Sequence, residues 1–149
     1  MKKRSQKLNK IVSLATSEER RCGAETGRSR RNLEEQMAKL GELNAYRQNY
    51  AELTRSMKGA DAAHWKDYQS FMSRLDEAVK TQQQIVRDSE QNLDRHRRRW
   101  LVKRQRLESL QRVLDGYRSD EAVQADRQAQ RLLDDLPKRD RLFESDSES

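Results

Sequence analysis

Apolar residues return every seven positions through the second half of the chain. From Trp65 the steps fall on Met72, Val79, Val86, Leu93, Trp100, Leu107 and Leu114, all apolar. A second column starts three residues later: Tyr68, Leu75, Gln82, Ser89, His96, Lys103, Leu110 and Tyr117. It is apolar at both ends and polar in the middle. Two such columns are the a and d seams of a heptad repeat. They predict one helix from about 62 to 117, on the order of 80 Å long. Asp61, just after Gly59, is its expected N-cap.

The first half carries a weaker version of the same pattern. One column is Leu8, Ala15, Cys22, Ser29, Gln36, Leu43, Tyr50 and Met57; its neighbour is Val12, Glu19, Thr26, Leu33, Leu40, Arg47 and Thr54. Ile11, Tyr46 and Leu53 fall in an adjoining column, so the seam is expected to wander as it does at stutters. Gly23 and Gly27 lie in its apolar-poor centre. Each costs an isolated helix about 1 kcal/mol relative to alanine. A first helix over about 5–57 is therefore expected to persist by packing on the second helix, not alone.

A short turn at about 58–61, containing Gly59, joins the two amphipathic stretches into an antiparallel hairpin. Facing positions then have numbers that sum to about 122. This register sets Trp100 opposite Cys22 with Gly23 beside it, so the bulkiest side chain meets the smallest stretch. It also sets Lys103 opposite Glu19, and His96 or Arg97 opposite Glu25.

Beyond Tyr117 the phase slips. Gly116 and Ser119-Asp120-Glu121 suggest a break near 116–119 with a new cap. Ala122, Ala125, Ala129, Leu132 and Leu136 then resume an apolar stripe with no partner left in the first helix. The second helix is expected over about 62–136, ended by Pro137, with a disordered acidic tail at 137–149. The expected fold is all-α: over 1–136, a long two-helix antiparallel coiled-coil hairpin with an overhanging C-terminal helix.

Composition sharpens this picture. Of 149 residues, 33% are hydrophobic and 38% charged, which suits long helices and excludes a thick globular core. The net charge of +7 suits an acidic partner. Cys22 is the only cysteine, which excludes an intrachain disulfide and fits a reducing compartment. The basic start precedes only a short apolar run, Ile11 to Ala15, unlike a signal peptide. No stretch approaches the roughly 18 apolar residues of a membrane span. A cytosolic protein is expected.

Chemistry is sparse. His64 and His96 are far apart, and a single cysteine builds no metal cluster. No phosphate-cradling loop or nucleophile–base pair is legible. The expectation is a non-enzymatic protein without metal or cofactor. Residues 94–106, DRHRRRWLVKRQR, raise the alternative of a basic coiled coil that binds nucleic acid. However, Trp100 belongs to the seam, and the run lies inside the hairpin. A homodimer of continuous helices is a further alternative. Near the turn, Leu43, Tyr46, Tyr50 and Phe71 lie on faces that two helices do not fully cover. Phe71, Ala78 and Ile85 form a third column, in the g position.

The chain resembles the FliJ family of bacterial flagellar export proteins. The likeness lies in KLNKIVSLA, LNAYRQNY (43–50), the glycine-containing turn, WKDYQSFMSRLDEAVKTQQ (65–83) and WLVKRQRLESLQ from Trp100, in this order and spacing. The resemblance implies an antiparallel coiled coil like the stalk of rotary ATPases. It implies a component of flagellar type III export that inserts into a hexameric export ATPase, promoting its assembly and activity. The family couples that ATPase to the membrane export gate and to export chaperones, and so associates peripherally with the inner membrane. The equivalent rod of a virulence secretion system is a close variant. Carried onto this chain, Leu43, Tyr46, Tyr50, Phe71, Leu75 and Ala78 correspond to the gate-contacting patch. Gln82 stands where the family can carry histidine. Lys2, Lys3, Arg4 and Lys7, with Leu132 and Leu133 on the overhang, would face the ATPase.

Overall fold

The computed structural model describes residues 3–56 and 62–147, with α2 side chains through Leu136. Helix α1 spans Arg4–Ser56 and α2 spans Ala62–Ser147. The protein is all-α: the two helices pack antiparallel as a hairpin, and no strand occurs among the described residues. The expected turn at about 58–61, its Gly59 and Asp61, and Met57 of the first seam lie outside them.

The described residues form two compact units, Glu18–Lys103 and Met1–Ser17 with Arg104–Ser149. In Glu18–Lys103, Leu75, Val79, Val86 and Leu93 of α2 and Cys22, Thr26 and Ser29 of α1 are buried along the seam. These α1 residues are small, so the seam closes on little apolar bulk. Its polar groups are matched instead. Thr26 Oγ1 donates to the Cys22 carbonyl at 2.8 Å. Gln82 Nε2 lies 2.9 Å from both the carbonyl and the Oε1 of Gln36. Longer contacts of 3.4 Å join Asn32 to Ser89 and Asn92 to Ser29. A buried polar group left unmatched costs about 1–3 kcal/mol, so these contacts protect the seam more than they strengthen it. Asp76 Oδ1 is buried without a hydrogen bond, but Arg47 Nε approaches it at 3.1 Å as an ion pair.

The expected register holds to one residue at Asn32–Ser89, Ser29–Asn92, Glu25–His96 and Glu18–Lys103, whose numbers sum to 121. Trp100 lies over Gly23: a Cβ on that glycine would sit 3.2 Å from the indole Nε1. The indole N–H donates to Glu19 at 2.9 Å. Lys103 therefore pairs with Glu18, at 3.1 Å, and not with the expected Glu19. His96 Nδ1 stands 3.9 Å from Glu25. The α1 seam does not wander. Cys22 and Ser29 are buried and Gln36, Leu43 and Tyr50 half-buried, while Glu19, Leu33, Leu40 and Thr54 of the neighbouring column also turn inward. Hydroxyl and amide groups keep the period where apolar residues are missing. Among the described residues of these two columns Arg47 alone is exposed, reaching Asp76.

In Met1–Ser17 with Arg104–Ser149, Val12, Ala15 and Leu114 are buried. Leu8, Leu107, Leu110 and Tyr117 are half-buried beside them. The N-terminus of α1 has no acidic residue in its first turn, an unfavourable end for a helix dipole. Glu121 of α2 supplies the missing charge: its carboxylate accepts from Ser5 Oγ at 2.7 Å and from the Ser5 backbone N–H at 3.3 Å. The hydroxyl bond chiefly holds the Glu121 carboxyl below its ordinary range. Desolvation opposes this, and the backbone bond and the charges of Lys3 and Arg118 add to it.

Two expectations for α2 fail. The break near 116–119 is absent, because Gly116 costs only about 1 kcal/mol in a long packed helix. Glu121, read as part of a new cap for α2, caps α1 instead. Nor does Pro137 end α2: the backbone stays helical to Ser147, where a disordered tail was expected. Proline's fixed φ of about −65° is itself helical, so its missing donor and ring clash are a local defect of about 3 kcal/mol. The expected overhang is present. Ser5 meets Glu121, and residues 122–136 are exposed throughout.

Gly41 has open space around it, so Gly41→Ala should stabilise the fold by about 1 kcal/mol. Gly23→Ala must also displace the indole, and is expected to gain less or to lose stability. Thermal melts followed by tryptophan fluorescence check both; equal gains with unchanged emission would refute the Gly23–Trp100 contact.

Because the folded-state pKa of Glu121 is lowered, its contribution is full above the ordinary glutamate value of about 4.3. It is lost as pH falls through the lowered value. Hydrogen exchange at the start of α1 should lose protection below about pH 4. Glu121→Gln should show that loss already at neutral pH.

Candidate partner-docking surface

A two-helix seam can bury its a and d positions, but the flanking g positions are covered only where side chains reach across. In Glu18–Lys103, the g positions include Tyr46 of α1 and Phe71, Ala78 and Ile85 of α2. The helices are antiparallel, so these g positions share one side. Tyr50 and Tyr68, in the seam proper, stack with ring centroids 5.6 Å apart and planes inclined by 17°. Phe71 lies on Tyr50 at 4.4 Å, and Tyr46 meets Phe71 edge-on at 6.1 Å. Edge-on and offset rings are the favourable arrangements for aromatic quadrupoles.

Of the six residues expected in the patch, Tyr46, Tyr50 and Phe71 meet through their rings, and Leu43 lines a cleft with Tyr46. Leu43, Tyr50, Phe71 and Ala78 are half-buried, and Tyr46 is 55% exposed. Leu75 is different: at 8% exposure it is a buried seam residue and presents nothing to a partner. Beside the rings, Lys39, Glu42, Leu43, Tyr46 and Gln82 line a surface cleft. Gln82 forms its inner wall, held by its two contacts with Gln36.

The expected seam column is buried or half-buried from Met72 through Val79, Val86, Leu93 and Trp100. Leu107 and Leu114 continue it in the other unit. Trp65 departs from it, 55% exposed. The Trp65 ring meets Tyr68 on its own helix, with centroids 5.6 Å apart. Trp65 therefore extends the aromatic surface instead of closing the core.

The second expected surface lies in the unit of Met1–Ser17 and Arg104–Ser149. Lys3, Arg4 and Lys7 are exposed at the start of α1; Lys2 lies outside the described residues. On the overhang, Leu132 and Leu133 are 69% and 63% exposed, with Val123 and Leu136 also open. Leu14, Ile11 and Val113 of this unit are exposed apolar residues as well. Only Ile11 had been set apart from the seam by its column; Leu14 and Val113 sit in c and g positions, which a search for a and d columns passes over.

No group of acidic residues, histidine and cysteine could hold a metal among the described residues. No helix among them is long and apolar enough to cross a membrane.

Comparison with known proteins adds one finding. The family model described as flagellar FliJ protein matches residues 4–140, nearly the whole of both helices. No individual curated protein and no solved structure matches the chain. The family match spans far more than the seam, taking in the aromatic surface, the Gly23–Trp100 contact and the overhang. The chain belongs to the flagellar FliJ protein family, components of flagellar type III protein export.

Proposed function

We propose that this protein is a non-enzymatic coupling component that joins the hexameric export ATPase to the membrane export gate and to export chaperones. The observation that carries the proposal is the aromatic cluster of Tyr46, Tyr50, Phe71 and Trp65, in which Tyr46 and Trp65 are each 55% exposed. Exposed aromatic residues supply large contact area at little entropic cost, which suits a protein interface. In this reading Leu43, Tyr46, Tyr50, Phe71 and Ala78 meet the gate, and Leu75 belongs to the seam. The exposed leucines Leu132 and Leu133, with Lys3, Arg4 and Lys7, serve the ATPase. The protein then works in the cytoplasm and reaches the membrane only through the gate.

Tyr46→Ala combined with Phe71→Ala should weaken binding to the purified cytoplasmic part of the gate by at least about tenfold, the scale of a lost aromatic anchor. Far-UV helicity should stay native. Loss of helicity instead would make these rings seam residues and remove the docking claim.

Truncation after Ala122 removes the exposed leucines but keeps Glu121, which caps α1, and the core residues Val12, Ala15 and Leu114. The full chain should stimulate hydrolysis by the export ATPase, and the truncated chain should not. Equal stimulation by both would place the ATPase contact elsewhere.

A further inference from the structure

The side of Glu18–Lys103 that carries the aromatic surface does not end at the rings. A second cleft lies on the same side, lined by Asn32, Ile85, Asp88, Ser89, Asn92 and Arg95. Its residues occupy d, g and c positions, as do those of the cleft beside Tyr46. The two clefts therefore follow one groove between the helices. Ile85, 38% exposed, continues the apolar line of Phe71 and Ala78 into it.

Past Asn92 the character of the groove changes. Arg95 and Arg99 of α2 and Arg21 and Arg28 of α1 fall in c and g positions on this side, and all four are exposed. None of the four makes an ion pair among the described residues. The nearby acids are engaged elsewhere: Glu25 faces His96, and Glu18 holds Lys103. Exposed Val102 sits in the next c position. From Phe71 to Arg99 the groove thus passes from aromatic to aliphatic to strongly basic, over about 40 Å of helix.

We infer that this groove seats a partner's amphipathic helix as a third strand of the bundle, apolar where it meets Tyr46, Phe71 and Ile85 and acidic where it meets Arg95 and Arg99. A groove between two packed helices accepts a third by ridges-into-grooves packing, and heptad-spaced lining residues match a helix of the same pitch. Arginine favours this assignment, since its planar fork binds carboxylates bidentately. A second copy of this chain fits poorly. Exposed Glu35, Glu42 and Asp88 flank the middle of the groove, and an antiparallel copy would set them against themselves. The inference rests on the aromatic surface being the gate-docking site and states what the gate presents to it.

The test uses the full chain and the purified cytoplasmic part of the export gate. Arg95→Glu with Arg99→Glu should weaken binding about tenfold at 50 mM salt, and the difference should shrink at 500 mM salt. Phe71→Ala should weaken binding at both. Native affinity in the charge-reversed variant, with a loss in Phe71→Ala, would overturn the helix-in-groove inference and leave the docking site standing. Native affinity in both would overturn both. A loss in the charge-reversed variant alone would overturn the apolar half. A short DNA duplex bound by the native chain at 50 mM salt, but not by the charge-reversed one, would assign the arginines to phosphate and also overturn the inference.

Discussion

Thr26, 2% exposed, and Gln82, 8% exposed, stand where a coiled coil ordinarily carries leucine or isoleucine. The register of Glu18–Lys103 depends on how the amide of Gln82 is matched. Thr26 returns its hydroxyl to its own helix, which satisfies it in any register. Gln82 instead reaches across to Gln36, and only one register brings the two together. Buried polar residues at seam positions are a known device for fixing register at some cost in stability. Here the register that Gln82 fixes with Gln36 lays Trp100 on Gly23 and brings Tyr46, Tyr50 and Phe71 into one cluster.

This dependence explains why the fold was so legible in the sequence. The Trp65–Leu114 and Tyr68–Tyr117 columns name nearly every inward residue of α2 through Tyr117. The pairing of Trp100 with the Cys22–Gly23 stretch follows from a turn position alone. The failures share a physical reason. Each came from treating a local signal as decisive where a long helix or a distant residue overrides it. Gly116 and Pro137 are weak breaks in an 86-residue helix. Glu121 looked like a local cap, but its partner is Ser5, on the other helix. Lys103 was matched to Glu19 without foreseeing that the Trp100 N–H would take that carboxylate.

The candidate surfaces were less legible, because exposure at a flanking position depends on what the opposite helix offers. Phe71 and Tyr46 could be read as either a widened seam or a docking patch until their ring contacts and exposure were known. Leu75 falls one heptad column away from Phe71 and Ala78, yet it is core. Trp65 begins a column of eight apolar residues, yet it is 55% exposed. Family membership gives the biological setting, protein export for the flagellum. The geometry adds a physical reason for a binding role: two helices with a small polar seam bury few of their aromatic and leucine side chains.

The central claim is that one antiparallel register, fixed by polar seam contacts, builds the docking side of Glu18–Lys103. Its most direct test is a cysteine pair at Ser29 and Asn92, whose side chains now meet at 3.4 Å, in a chain whose only native cysteine, Cys22, is replaced by alanine. Mild oxidation should give a disulfide within one chain, with the molar mass of a monomer by light scattering. Disulfide-linked dimers, or equal cross-linking from a pair shifted by one heptad, would contradict it.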